Sequence, residues 1–156
     1  MNVWIRTIQT MVFLGLIVGS APKLWAGDVT FHGSQCKALG QENSYNRLGI
    51  QGLSTRALTP ASCGAFFSAG SVVSSVQVVV YDRNIRFDVP CTVQLTDAAG
   101  NSIWSQTKTT SGTADVSSTL TFTPGLSSMS LYVTCVLPPI DSPGISSLAS
   151  YRVVTQ

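Results

Sequence analysis

The sequence predicts an all-β protein: an antiparallel β-sandwich, jelly-roll or immunoglobulin-like, with two disulfides and a signal peptide before it. Three observations lead there. Short runs rich in Val, Thr, Tyr and Phe recur between Gly, Pro, Asn, Asp and Ser clusters, and no stretch has the spacing of an amphipathic helix. Charged residues are only 10% of the chain, whereas Ser and Thr fill about a quarter of residues 27–156. Thr and Val pack well on pleated surfaces, and Ser and Gly populate turns. Finally, the four cysteines, Cys36, Cys63, Cys91 and Cys135, all follow an apolar leader.

That leader is residues 1–26. Arg6 precedes an apolar stretch from Met11 to Val18, and small residues follow, as in a secretory signal peptide. The stretch falls well short of the ~20 residues that cross a bilayer, so no transmembrane anchor is expected in the mature chain. Cleavage is expected after Ala26, with Ala21 as the alternative because Leu24 is large for its place before the cut. No cysteine follows at once, which argues against a lipid anchor. Residues 27–156 then form one domain, expected to be secreted or periplasmic. Cleavage removes Arg6 and Lys23, so the nine basic residues become seven and balance the seven acidic ones. Lys37, Arg47, Arg56, Arg83, Arg86, Lys108 and Arg152 are never adjacent, which leaves no footprint for nucleic acid.

Taken in order, Val29 to Phe31 is the first strand, followed by a Gly-containing approach to Cys36. Across residues 44–60 the apolar spacing is irregular and supports one or two strands. SCGAFF (62–67) leads to a turn at Gly70–Ser71. VVSSVQVVVYDRN (72–84) is β-branched almost throughout and stops at a turn-type cluster. In RFDVPCTVQLTD (86–97), Phe87, Val89, Cys91, Val93 and Leu95 share one face, and Asp88, Thr92, Gln94 and Thr96 the other. Pro90 lacks an amide donor and is expected at an edge or a bulge. DAAGN (97–101) is a hairpin-like connection into SIWSQTKT (102–109). In DVSSTLTFT (115–123), Val116, Leu120 and Phe122 share parity. PGLSS (124–128) turns into MSLYVTCVLP (129–138), where Leu131, Val133, Cys135 and Leu137 oppose Tyr132, Thr134 and Val136. Pro138, Pro139, Pro143 and Gly144 form a loop, and SSLASYRVVT (146–155) is the last strand.

An even number of cysteines in an exported chain reads as two disulfides, and the spacings are too wide for a CxxC metal or redox motif. Four cysteines allow three pairings. Parity places Cys91 and Cys135 on the core-like faces of two strong strands, where neighbouring or facing strands can bring them together. Cys91–Cys135 is therefore expected, which leaves Cys36–Cys63 to tie down the N-terminal third.

Catalytic candidates are thin, and no cofactor is implied. His32 is the only histidine, there is no GxSxG-like nucleophile turn, and the acidic residues are dispersed singly. Asp82 with Asn84, or Asp97 with Asn101, can offer oxygens to calcium. Neither stretch has the acidic density of a dedicated site, so both read as turns and no metal is expected. Trp104 is the candidate binding residue, being the only tryptophan after residue 26. If Ile103 faces the core, Trp104 is free to stack on a sugar ring or a partner surface. The reverse arrangement, with Trp104 in the core, is favoured because large aromatics are mostly buried. Tyr45, Tyr81, Tyr132 and Tyr151 are possible companions in such a platform.

HGSQC with YN and Gly downstream, SCGAF, VYDRN, FDVPCTVQL, YVTCVLPP and SYRV together resemble small secreted bacterial two-disulfide β proteins of uncharacterised function. The likeness spans most of residues 27–156. It implies an exported β protein and carries over no active-site residues. The expected function is an exported, non-catalytic binding or structural domain whose partner is a cell-envelope protein or a glycan. One alternative is a subunit of a surface assembly such as a pilus, with the last strand augmenting a neighbour's sheet. The other is a secreted hydrolase using distant carboxylates such as Asp82 and Asp88.

Overall fold

Period-two alternation along the chain becomes two stacked antiparallel sheets. The computed structural model describes residues 27–39, 43–46, 49–52, 58–68, 70–111, 116–140 and 144–156. The leader and its cleavage sites lie outside the described residues. The strands are β1 (Gly27–His32), β2 (Lys37–Ala38), β3 (Asn43–Asn46), β4 (Gly49–Gly52), β5 (Thr59–Phe66) and β6 (Val72–Asp82). They continue with β7 (Pro90–Thr96), β8 (Ser102–Thr109), β9 (Val116–Phe122), β10 (Leu126–Ser127), β11 (Ser130–Leu137) and β12 (Ser147–Thr155). A 3-10 turn over Gly33–Gln35 joins β1 to β2. The irregular 44–60 stretch yields the β3–β4 pair, from which Ile50 enters the core.

The first sheet has seven strands. β6 and β12 lie at its centre, β9 and β10 share the far edge of β6, and β1 and β4 share the far edge of β12, with β3 beyond β4. The second sheet runs β2-β5-β11-β7-β8. From β4 onward the chain changes sheet at every step except the β7–β8 hairpin and the β9–β10 pair. That double crossing is a jelly roll. An immunoglobulin-like sandwich keeps more of its consecutive strands as hairpins within one sheet.

The core fills the space between the sheets. Val73, Val76, Val78 and Val80 of β6, with Leu148, Tyr151 and Val153 of β12, face Ala61, Val93, Leu95, Leu131, Val133 and Leu137 of the second sheet. Leu120 and Phe122 also point inward, while the Val116 side chain lies outside the described residues. Strict alternation in the last strand puts Leu148 on the face opposite Tyr151 and Val153. Instead all three are buried, because the β6–β12 register shifts between Leu148 and Ser150 and leaves Ala149 as an extra residue. A second shift, between Val154 and Thr155, lets Val73 and Val76 both face inward across the Ser74–Ser75 pair.

Phe87 departs from its expected face. Asn84 Oδ1 accepts from the amides of Arg86 (2.8 Å) and Phe87 (2.9 Å), bending the chain before β7 begins and leaving Phe87 exposed. Pro90 sits neither on an edge strand nor at a bulge. It is the first residue of the interior strand β7, just beyond the last β11 pair at Cys91, so its missing donor interrupts no ladder.

Both disulfides have the expected pairing, and both lie in the second sheet. Cys91 and Cys135 are directly opposed across β7 and β11, with Cα atoms 4.0 Å apart. Cys36–Cys63, at 4.3 Å, fastens the chain to β5 just after it crosses over from β1. Closing loops of 27 and 44 residues contributes on the order of 3–4 kcal/mol each in the chain-entropy description.

Two backbone approaches hold the β12 bulge. A Cβ on Gly33 would lie 1.9 Å from the Leu148 carbonyl oxygen, and one on Gly49, whose φ is +101°, would lie 2.0 Å from it. Gly49→Ala and Gly33→Ala are therefore each expected to destabilise the fold by at least ~1–3 kcal/mol, the usual cost of overpacking. The midpoint of denaturant unfolding measures this. Tyr151 spans the sandwich: its ring stacks on Phe31 with centroids 4.7 Å apart, and its hydroxyl donates to the Gly64 carbonyl at 2.9 Å. Burial pushes its phenol from 10.0 up to about 12. The folded state thus keeps this proton to higher pH than the unfolded chain, and the associated stability is full below about pH 10 and lost as pH rises through about 12. Melting curves across that window should fall less steeply for Tyr151→Phe than for the parent protein.

Candidate functional site

What the second sheet hides decides what it shows. Ala61, Cys63 and Ala65 of β5, Leu131, Val133 and Cys135 of β11, and Cys91, Val93 and Leu95 of β7 point inward. The alternate residues must therefore face solvent. Register aligns them in rows across the strands. One row is Gly64, Tyr132, Gln94 and Ser105, and the next is Ser62, Thr134, Thr92 and Thr107. Hydroxyl pairs tie the second row together: Thr92 to Thr107 at 2.7 Å, and Thr134 donating to Ser62 at 3.4 Å.

Tyr132 is the aromatic centre of this face. Opposite it stands Gly64, where an added Cβ would lie 3.6 Å from Tyr132 Cε1 and 3.7 Å from Cδ1. The ring therefore leans over a glycine that leaves it room, the usual way an aromatic covers a bare strand position. Phe66, at the end of β5, is 83% exposed and Tyr132 39%. Leaving a phenylalanine in water forgoes roughly 1.5–3 kcal/mol of burial. Phe66 is thus displayed beside a second aromatic and the exposed Leu39, a cluster rather than a scattered apolar residue.

Two open grooves meet at these aromatics. The first, about 360 Å³, runs from Gln35, Lys37 and Leu39 across Ser62 and Gly64 to Phe66 and Tyr132. The second, about 350 Å³, continues from Phe66 and Tyr132 past Met129 and Ser130 to the Asp97–Gly100 turn. The chain segment carrying Gln35 to Leu39 is held to the sheet by the two β2 pairs, the Cys36–Cys63 bridge and a Leu39 amide to Pro60 carbonyl bond of 3.0 Å.

Trp104 lies elsewhere. Its partner in register is the buried Leu95, so it points to the core side of edge strand β8 and packs, partly buried, against the core. Ile103 is the exposed residue of that pair. Lys108 lies on the same side, its Nζ donating to the Thr121 carbonyl and standing 5.5 Å from the Phe122 ring centroid, which closes that flank of the sandwich. Among the tyrosines, Tyr132 joins the outer face, Tyr151 is in the core, Tyr81 stands on the other sheet, and the Tyr45 side chain lies outside the described residues. Sequence reasoning passed over Phe66. Its sign was the order Ala61, Cys63, Ala65 against Ser62, Gly64, Phe66, with small residues alternating inward and the large one outward.

The polar candidates are engaged in structure. His32 caps the 3-10 turn, its Nδ1 accepting from the Ser34 amide at 3.1 Å. Asp82 is buried, accepting from the Asn84 amide (3.1 Å), Ser146 Oγ (3.3 Å) and Thr110 Oγ1. Asn84 Nδ2 donates to the Pro139 carbonyl at 2.9 Å. These bonds join the ends of β6, β8, β11 and β12. Asp97 Oδ1 accepts from the amides of Ala99 (2.9 Å) and Asn101 (2.8 Å), and Oδ2 from Asn101 Nδ2 (3.1 Å). The Asn101 side chain, then its amide, hold the Asp97 carboxyl below the usual carboxylate range. Both Asp/Asn pairs thus form turns. Among the described residues no group of three or more His, Cys, Asp or Glu is placed to hold a metal ion, and no helix is long and apolar enough to cross a membrane.

No family model matches the sequence, and no curated protein does. Solved structures do share the architecture. A family two carbohydrate esterase from Cellvibrio japonicus is similar at a TM-score of 0.53 and 10% identity, over 84% of this chain and 34% of that one. The VP2 subviral particle of infectious bursal disease virus gives 0.52 and 12%, over 88% and 36%. The xylan-binding module CBM15 gives 0.51 and 15%, over 82% and 97%. The likeness is one of fold. The chain spans about a third of the esterase and VP2 chains and nearly all of the xylan-binding module.

If Phe66 serves contact rather than folding, its removal is nearly free. Phe66→Ala should change unfolding free energy by no more than ~0.5 kcal/mol, while Val133→Ala in the neighbouring strand should cost ~2 kcal/mol or more. Denaturant melts of the two variants side by side provide the comparison.

Proposed function

We propose that this chain is an exported, non-catalytic carbohydrate-binding domain whose contact surface is the outer face of the five-stranded sheet. One observation carries the reading: Tyr132 and Phe66 stand exposed beside rows of hydroxyl and amide side chains, Ser62, Thr134, Thr92 and Thr107 in one and Gln94 and Ser105 in the other. A pyranose ring presents apolar C–H faces and a rim of hydroxyls. Aromatic side chains supply an apolar surface for the first, and Gln94, Ser62 and Thr134 supply donors and acceptors for the second. The likeness in fold to a xylan-binding module supports the architecture, and the residues of the face carry the rest. Trp104 packs, partly buried, on the core side of edge strand β8 and so has no part in this face. Two disulfides in so small a domain suit an oxidising location, secreted or periplasmic, and a preceding signal peptide.

The alternatives draw less support. β12 is paired along both edges, with β6 on one side and β1 and β4 on the other, so the last strand completes its own sheet and is not offered to a neighbour. The carboxylate of Asp82 is buried and hydrogen-bonded, closed to a substrate.

A glycan array followed by calorimetry with the best neutral polysaccharide tests the proposal. Tyr132→Ala is expected to weaken binding at least tenfold with unfolding unchanged. Silence across the array, or full binding by Tyr132→Ala, would overturn it.

A further inference from the structure

We infer, on the carbohydrate-binding reading above, that the face takes a stretch of a neutral polysaccharide laid across both grooves, with Phe66 and Tyr132 as the shared ridge. Three observations carry this. First, the two grooves adjoin, since the same two aromatics, Phe66 and Tyr132, line both. Each, at about 360 and 350 Å³, is at the small end of the ~300–1,000 Å³ range for ligand sites, so a larger occupant gains by using the pair.

Second, the track is long. From Lys37 on β2 to Asp97 beyond β7 there are three strand spacings sideways and about five residues lengthwise. On a sheet that is roughly 20 Å, about the reach of four sugar units. Both grooves open to solvent along the face.

Third, the charges suit a neutral chain. Among the described residues lining the grooves, Lys37 is the one cation and Asp97 the one anion, and they stand at opposite ends. Asp97 already accepts three hydrogen bonds within its own turn. A polyanionic glycan needs several cations along its path, which these grooves lack.

Xylo-, cello- and isomalto-oligosaccharides of one to six units, titrated calorimetrically, test the inference together with two groove variants. Ala98 is exposed in the turn bordering the second groove, so Ala98→Arg obstructs that groove without touching the core. Leu39→Ser strips the apolar wall of the first. In at least one series the association constant should rise tenfold or more from two to four units. Ala98→Arg should erase that gain and leave disaccharide binding within twofold, and Leu39→Ser should weaken every length. Binding that does not vary with length, or is indifferent to Ala98→Arg, overturns the two-groove inference and leaves the carbohydrate-binding reading standing. Failure of all three series and of the parent polysaccharides overturns both.

Discussion

The Cys91–Cys135 bridge at the middle of the five-stranded sheet is the constraint on which the rest depends. It joins directly opposed residues of β7 and β11 and so fixes the register between them. In a strand, a slip of one residue exchanges its two faces. Slipping β11 against the core would bury Tyr132 and Thr134 and expose Leu131, Val133 and Leu137. The covalent link therefore does more than constrain the unfolded chain, because it also determines which side chains the outer face displays. Cys36–Cys63 repeats the device one strand further out, where β2 has only two paired residues to hold the groove wall in place.

Small side chains complete the arrangement. Facing the core from β5 are Ala61, Cys63 and Ala65, which let that strand sit close to the opposite sheet, near enough for the Tyr151 hydroxyl to reach the Gly64 carbonyl. The same glycine, on its other side, gives Tyr132 room. One residue thus serves the core through its backbone and the surface through its missing side chain. At the opposite sheet, Gly33 and Gly49 admit the bulged β12 backbone, and that bulge turns Leu148, Tyr151 and Val153 to a common side.

Much of this could be read from the sequence where alternation was regular. In β7 and β11 the inward residues from Val89 to Leu95 and from Leu131 to Leu137 were given by parity, and the disulfide pairing followed from them. Parity failed where the count of residues was not the count of ladder positions. Ala149 in β12 and Ser74 in β6 are extra positions whose bulges depend on partner strands distant in the chain. Phe87 was misplaced for a related reason: a hydrogen-bonded Asn84 ended one element where hydrophobicity alone continued it. The choice between jelly roll and immunoglobulin-like sandwich was also beyond reach, since it rests on which sheet each strand joins. Trp104 illustrates the limit for the site. Its alternation with Ile103 was clear and the usual burial of large aromatics favoured the core, but a two-residue period carries no sign of its own, and pairing with Leu95 fixes the direction.

Placement of polar groups separates the two ends of the molecule's chemistry. The buried carboxylate of Asp82 and the Asn84 amide spend their hydrogen bonds on Thr110, Ser146, Pro139 and neighbouring amides. A group so engaged holds loops and has little left for a ligand, because opening any of those bonds leaves a buried polar atom unpaired. On the outer face the balance is reversed. Ser62, Thr92, Gln94, Thr107 and Thr134 sit at the water boundary, where exchanging a solvent partner for a ligand hydroxyl costs little. On the proposed carbohydrate-binding reading, affinity there comes from the apolar surface of Phe66 and Tyr132, and selectivity from the rows of hydroxyls around them. With charges few and the strongest polar network locked inside, the polar groups left at the surface are mostly neutral hydroxyls and amides.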